Sequence, residues 1–264
     1  MQAPQLNETR FARYEILREL AGGTYTTVFE AMHTDPKLRD RCVALKILRR
    51  NHDSQRFMQA AQINAALSHP CIPALYEVGD ARGRLYCVRQ FVEGDDLQNG
   101  IGYGRNFAEV ARVIADVAGA LDHAHGRGVL HGYVHPRHIL LAHDSAAWLI
   151  GFGEHSPADV VAEGNPLHLA PEQLAGHTAT PATDVFALSE TAAWLLCGRH
   201  PSCGFATAQL QSAKRQSRTG RGVQLVWAGI PPAVQRVLRQ GMAPDPADRH
   251  ATAGEFAAAL SSAG

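Results

Sequence analysis

His131-Gly132-Tyr133-Val134-His135-Pro136-Arg137-His138-Ile139-Leu140-Leu141 is the stretch on which the reading of this chain turns, and ten residues past Leu141 it is answered by Gly151-Phe152-Gly153. Its imidazoles invite a metal reading, since histidine is a common transition-metal ligand. The set is too incomplete to hold an ion by itself, and no metal site is expected. Tyr133 is a poor base at neutral pH, with an ordinary pKa of about 10. Gly151 has no side chain with which to bind anything. The meaning of the stretch comes from what flanks it.

The surrounding 264 residues are 45% hydrophobic and 19% charged with zero formal net charge, enough for a well-buried core in one large domain or two lobes. The neutral balance gives no reason to expect nucleic acid or an anionic membrane as partner. Nothing approaches an unbroken apolar run of about 18 residues, and Met1–Glu8 has neither a charged n-region nor an apolar h-region. A cytoplasmic protein is expected. Cys42, Cys71, Cys87, Cys197 and Cys203 form no C-x-x-C pair and read as free thiols.

Upstream of the quoted stretch the texture changes once. From Tyr14, short runs broken by Gly and Asp have strand length and composition: Tyr14–Leu20, Thr27–His33, Cys42–Leu48, Ala74–Val78 and Leu85–Phe91, with a turn expected over Gly79–Gly83. A single helix interrupts them, Ser54–Leu67, with Phe57, Ala61 and Ala65 at four-residue spacing. After Gly94 the patterns are helical. Phe107–Arg127 carries an apolar stripe through Val110, Val113, Ile114, Val117, Leu121 and Ala124, and Thr183–Leu196 is apolar nearly all round. Thr207–Arg215, Pro232–Gln240 and a segment from near Thr252 are further helix candidates.

In that setting His131–Leu141 resembles the catalytic loop of protein kinases, H-R-D-L-K-P-x-N, and Gly151-Phe152-Gly153 resembles D-F-G. The chain is similar to the eukaryotic-like, Hanks-type serine/threonine kinases of bacterial kind. The resemblance implies an α+β, bilobal protein kinase-like fold with a small β-rich N-lobe and a larger helical C-lobe. It implies an N-terminal extension over 1–11, the N-lobe over 12–92 and the C-lobe over 93–264.

Leu20–Val28 stands where the family has its glycine-rich phosphate loop, with Gly23 in register and Ala21 and Thr26 in place of the outer glycines. Val43-Ala44-Leu45-Lys46 matches V-A-I-K, so Lys46 resembles the phosphate-contacting lysine; Ala60 stands where its helix glutamate partner would be. Tyr86–Gly94 resembles the fifth strand and hinge. That register puts Arg89 at the gatekeeper position, where it either pairs inside the cleft or is tilted outward by its strand. Gly23, Val28, Ala44, Lys46, Gln90, Val92 and Leu140 are the candidate nucleotide-binding residues. His131 and Phe152 match the hydrophobic spine, and Asp184 the helix aspartate that anchors the catalytic loop. Glu172 of Ala170-Pro171-Glu172 and Arg249 of Asp245–Arg249 are expected to form a buried ion pair.

Four family positions lack their catalytic groups: Ala60, Tyr133, His138 and Gly151. Gly132 replaces the loop arginine, Gly164-Asn165-Pro166 replaces G-T-P, and Ser156 is the sole hydroxyl between Gly153 and Gly164. These losses point to a catalytically inactive domain, a pseudokinase with no catalytic residue, acting as a binding, scaffold or allosteric module for a protein partner in a signalling assembly. The alternative is a divergent serine/threonine kinase or a nucleotide-binding switch using the degenerate ATP cleft. No cofactor is expected beyond weak, metal-independent nucleotide binding. Lys214, Arg215, Arg218 and Arg221 form the candidate partner-binding cluster, with a solvated charged loop as the plainer alternative.

Overall fold

The structure is a computed structural model and describes residues 9–38, 41–50, 52–99, 106–162, 168–198, 227 and 229–264. It divides into two compact units: residues up to Ser68 together with Pro73–Glu93, and His69–Ile72 together with Gly94–Gly264.

The first unit is an antiparallel sheet of β1 (Arg10–Phe11), β2 (Tyr14–Gly22), β3 (Thr26–His33), β4 (Cys42–Leu48), β5 (Leu75–Ala81) and β6 (Arg84–Gln90), ordered β1-β2-β3-β4-β6-β5. The alternation of side chains across a strand sorts it into two faces. Phe29 and Ala31 of β3, Val43, Leu45 and Ile47 of β4 and Tyr86 and Val88 of β6 are buried together with Phe11 and Tyr14. Phe11 of β1, within the span 1–11, belongs to this core. Helix α1 (Ser54–Ala65) is capped by the Asp53 carboxylate, which accepts the Arg56 N–H at 3.0 Å. It ends short of the expected Leu67.

The β5–β6 hairpin is tighter than the sequence suggests. Asp80 and Ala81 still pair, with Leu85 and Arg84, so the turn is Arg82-Gly83 alone. Both residues take positive φ, 59° and 71°, the requirement of a two-residue primed turn matched to strand twist. A Cβ at Gly79 would strike the Tyr86 ring at 2.7 Å, so the glycine lets that ring lie over the strand.

The second unit holds a small sheet, β7 (Gly94–Asp96), β8 (Ile139–Ala142) and β9 (Ala147–Leu149), with β8 in the middle. Its helices are α2 (Phe107–His125), α3 (Pro157–Ala162), α4 (Pro171–Leu174), α5 (Pro181–Cys197), α6 (Pro232–Gly241) and α7 (Ala253–Ser262). The expected stripe of α2 is fully buried, each of Val110, Val113, Ile114, Val117, Leu121 and Ala124 being 0% exposed. Helix α5 is buried on all sides from Thr183 to Leu195, as expected of a helix apolar nearly all round, and it carries Thr183, Asp184, Ser189, Glu190 and Thr191 into the interior with it. Asp122 of α2 accepts the first two N–H groups of α7, from Ala253 at 3.0 Å and Gly254 at 2.9 Å, joining the two helices where α7 has unsatisfied donors.

Candidate functional site

In the first unit, register places Val28, Lys46 and Cys87 in one cross-strand row and Glu30, Ala44 and Arg89 in the next. Both rows lie on the face opposite the main core, so Val28, Ala44 and Lys46 share one surface. Leu48, Phe57 and Cys87 pack together on the α1 side of the sheet, and Lys46 is half-buried. Gln90 pairs with Val43 and therefore lies on the other face, while Val92 is buried beyond the strand end. Arg89 is buried, at 9% exposure, between Ala44 and Leu75, so the strand does not turn it outward. Gly23 donates its N–H to the Thr26 carbonyl at 2.9 Å, closing the turn between β2 and β3. Ala60 is buried within α1, and its carbonyl accepts the Asn64 side-chain N–H at 2.6 Å. The Tyr25 ring of the same turn lies under the Arg56 guanidinium at 5.8 Å and edge-on to His52, which joins the turn to α1.

The second unit holds the loop His131–His138 by its backbone. Asp184, 1% exposed on α5, accepts the His131 N–H at 2.9 Å and the Gly132 N–H at 2.8 Å. The same carboxylate accepts the His125 Nε2–H at 2.8 Å. Gln173 of α4 donates to the Gly132 carbonyl at 2.7 Å, so both backbone hydrogen-bonding groups of Gly132 are tied. Asp184 fills the role the resemblance assigned it. His125 and Gln173 were not anticipated, since 59 and 41 positions separate them from their partners and no spacing links them.

The side chains of this loop form a ring cluster. Tyr133 is buried with Val160, Leu169 and Leu174, stacks on His135 at 5.3 Å and meets His138 and His155 edge-on. His131 packs on Phe152 at 4.8 Å, the expected spine contact, and His135 meets His168 at 4.6 Å. The tautomers follow from the partners. His131 donates from Nε2 to the Ile150 carbonyl, whereas His138 donates from Nδ1 to the Tyr133 carbonyl at 3.0 Å. Burial pushes His135 down to about 3, helped by Arg137 and His155. Burial also holds His138 well below the ordinary histidine value, with neighbouring imidazoles adding to it. All three loop histidines are therefore neutral at pH 7. His155 and His168 complete the cluster but carry no sequence signal of it.

Further out, Arg249 and Glu172 form the expected buried pair through two bonds of 2.7 and 2.8 Å. The Ser156 hydroxyl is engaged with Asp159 at the start of α3, as a helix cap. Lys214, Arg215, Arg218, Arg221, Gly164-Asn165-Pro166, Cys203 and Thr207–Arg215 lie outside the described residues. Cys42, Cys71, Cys87 and Cys197 are free thiols. Among the described residues no helix is long and apolar enough to cross a membrane.

A V-A-L-K strand lysine on a curled antiparallel sheet, with a separate helical unit whose central helix clamps a short loop ahead of a Gly-Phe-Gly turn, defines a kinase-type domain. The chain belongs to the protein kinase domain family, whose description matches residues 14–258. It is similar to the serine/threonine-protein kinase PknD of Mycobacterium tuberculosis, 29% identical over 270 residues, covering 97% of this chain and 40% of that protein. PrkC of Bacillus subtilis is 29% identical over 266 residues, covering 95% and 40%. PknJ of Mycobacterium bovis is 32% identical over 271 residues, covering 96% and 46%. The crystal structure of the M. tuberculosis PknI kinase domain superposes with a TM-score of 0.74 at 28% identity, covering 97% of this chain and 98% of that one. The chain spans less than half the length of the curated relatives it matches.

These relatives correct one expectation. The substitutions at Ala60, Tyr133, His138 and Gly151 suggested a non-enzymatic pseudokinase that acts only by binding. The chain instead matches, over nearly its whole length, proteins named as serine/threonine kinases. The physical reason such substitutions are not decisive is that phosphoryl transfer asks little covalent chemistry of the protein. Its rate comes from positioning and electrostatics, and the Asp184 clamp on the loop and the Glu172–Arg249 pair are present.

Proposed function

We propose that this chain is a divergent serine/threonine-protein kinase domain that binds ATP and transfers its terminal phosphoryl group to a protein hydroxyl. The observation that carries the proposal is the shared face of Val28, Ala44 and Lys46, three residues at family nucleotide-binding positions. Leu140, on the centre strand of the small sheet, stands at a further family nucleotide-binding position. The substrate hydroxyl oxygen bonds to the γ-phosphorus while the bond to the bridging oxygen of ADP breaks. Lys46 supplies positive charge to the phosphates. The hydroxyl proton passes to a phosphate oxygen or to water, since Tyr133 is packed into the core and His135 is too weak a base. A loose transition state tolerates this, at a low rate.

Kinship supports the reading independently, since the relatives named above are serine/threonine-protein kinases. Within the same proposal the domain works in the cytoplasm, and Lys214, Arg215, Arg218 and Arg221 dock an acidic segment of the protein substrate. Incubation with γ-labelled ATP, with magnesium, with manganese and with EDTA, tests the activity against a Lys46→Ala control. Labelling that depends on Lys46 is expected in at least one condition. No labelling above the control in any of them overturns the kinase reading, and nucleotide binding without labelling would leave the nucleotide-binding switch.

A further inference from the structure

Magnesium is the ion this fold implies, held in the family by an Asn of the catalytic loop and the Asp of D-F-G. The residues at those two positions do not fit it. Gly151 offers no donor. His138 offers at most Nε2, because its Nδ1–H is committed to the Tyr133 carbonyl at 3.0 Å. Magnesium takes oxygen ligands in near-octahedral geometry, and a lone imidazole nitrogen is a poor match. Among the described residues no group of three or more His, Cys, Asp or Glu side chains is placed to hold an ion.

The two substitutions are also linked in space. A Cβ built at Gly151 would lie 3.2 Å from both Cγ and Nδ1 of His138 and 3.3 Å from its Cδ2. The imidazole thus covers the position from which an aspartate side chain would leave the backbone. It cannot swing away cheaply, being fixed by its hydrogen bond and packed against His155 at 4.9 Å and Tyr133 at 5.5 Å. Gly151 itself sits at φ 98°, a conformation that glycine adopts without strain.

We infer that His138 and Gly151 are a coupled replacement of the family's metal site, and that this domain binds its nucleotide without a divalent ion. The inference rests on the proposed nucleotide binding and names the ionic form of the ligand: free ATP rather than its magnesium complex. His138 is neutral at pH 7 and does not stand in for the ion's charge.

Thermal shift with ATP, in EDTA and in excess magnesium, reads this directly, because a ligand of the native state raises Tm. The wild type is expected to show an equal or larger shift in EDTA. Gly151→Asp alone is expected to lower the Tm of the ligand-free protein and to gain no magnesium dependence. With His138→Asn added, magnesium should strengthen ATP binding by about tenfold. A wild-type shift seen only with magnesium overturns this inference and leaves the kinase reading standing. Full magnesium dependence in Gly151→Asp alone overturns the coupling. No shift in either buffer overturns both this inference and the proposed function.

Discussion

Arg249 grips Glu172 from 77 positions away through two parallel hydrogen bonds of 2.7 and 2.8 Å, with both side chains all but removed from solvent. Thr183 donates a third bond to the carboxylate at 2.9 Å. The guanidinium also donates to the carbonyls of Ala243, Ala182 and Pro244 and lies over Phe186 at 4.9 Å. One contact therefore fastens α4, α5 and the segment ahead of α7.

Removing either partner should be far worse than removing both. Glu172→Gln or Arg249→Met leaves an uncompensated buried charge and is expected to cost about 3–5 kcal/mol. The Glu172→Leu/Arg249→Met double variant should cost less than the sum of the singles, measured by urea unfolding. Burial raises the Glu172 pKa, but the Arg249 bonds and charge outweigh it and hold the carboxyl below its ordinary value. A depressed carboxyl pKa contributes stability above the unfolded value of about 4.3 and loses it as pH falls through the folded value. In Arg249→Met this acid-labile contribution should be absent.

Asp184→Asn should loosen the His131–Gly132 turn. The carboxylate accepts from three donors, and an amide would turn its own N–H groups toward some of them. A loss of about 3 kcal/mol is expected, given roughly 1.5–3 kcal/mol for each charged bond and incomplete additivity. Amide exchange at His131 and Gly132 should speed up selectively. Unchanged protection there would remove Asp184 from its anchoring role.

His135 makes the second unit acid-sensitive. Its folded value of about 3, set first by burial, lies below the unfolded value of about 6.5. Protonation thus favours the unfolded chain, and stability complete above pH 6.5 should decline as the pH drops toward 3. His135→Phe keeps a ring against Tyr133 and His168 but loses the bond from the Arg137 N–H, so about 1 kcal/mol should be lost at neutral pH. Urea midpoints at pH 7 and pH 5 should then lie closer together than in the wild type. An unaltered gap would assign the acid sensitivity elsewhere.

Gly94→Ala should be costly despite its small size. A Cβ there would overlap the Leu141 carbonyl, and since the obstacle is backbone, no rotamer change relieves it. The β7–β8 pairing of Gly94 with Ala142 must shift, at an expected cost of about 1–3 kcal/mol. Circular dichroism melting of Gly94→Ala against Gly83→Ala, whose position has open space, separates overlap from conformational preference.

How much of this was legible in the chain itself depended on the range of the interaction. The helix spanning Phe107–His125 and the strand Cys42–Leu48 follow from periodicity, because a repeat of 3.6 or 2 is written in neighbouring residues. The order of the motifs around His131–Leu141 named the family, and Lys46, Asp184, Glu172 and Arg249 could be placed by resemblance alone. Local rules overestimated the turn at Gly79–Gly83, since only cross-strand pairing shows that Asp80 and Ala81 belong to the strand. The packing of His138 against Gly151, the ring contacts of His155 and His168, and the grip of His125 and Gln173 on the loop were decided by tertiary structure. Those contacts join residues whose separation carries no period, so nothing short of the folded backbone brings them within hydrogen-bonding or van der Waals reach.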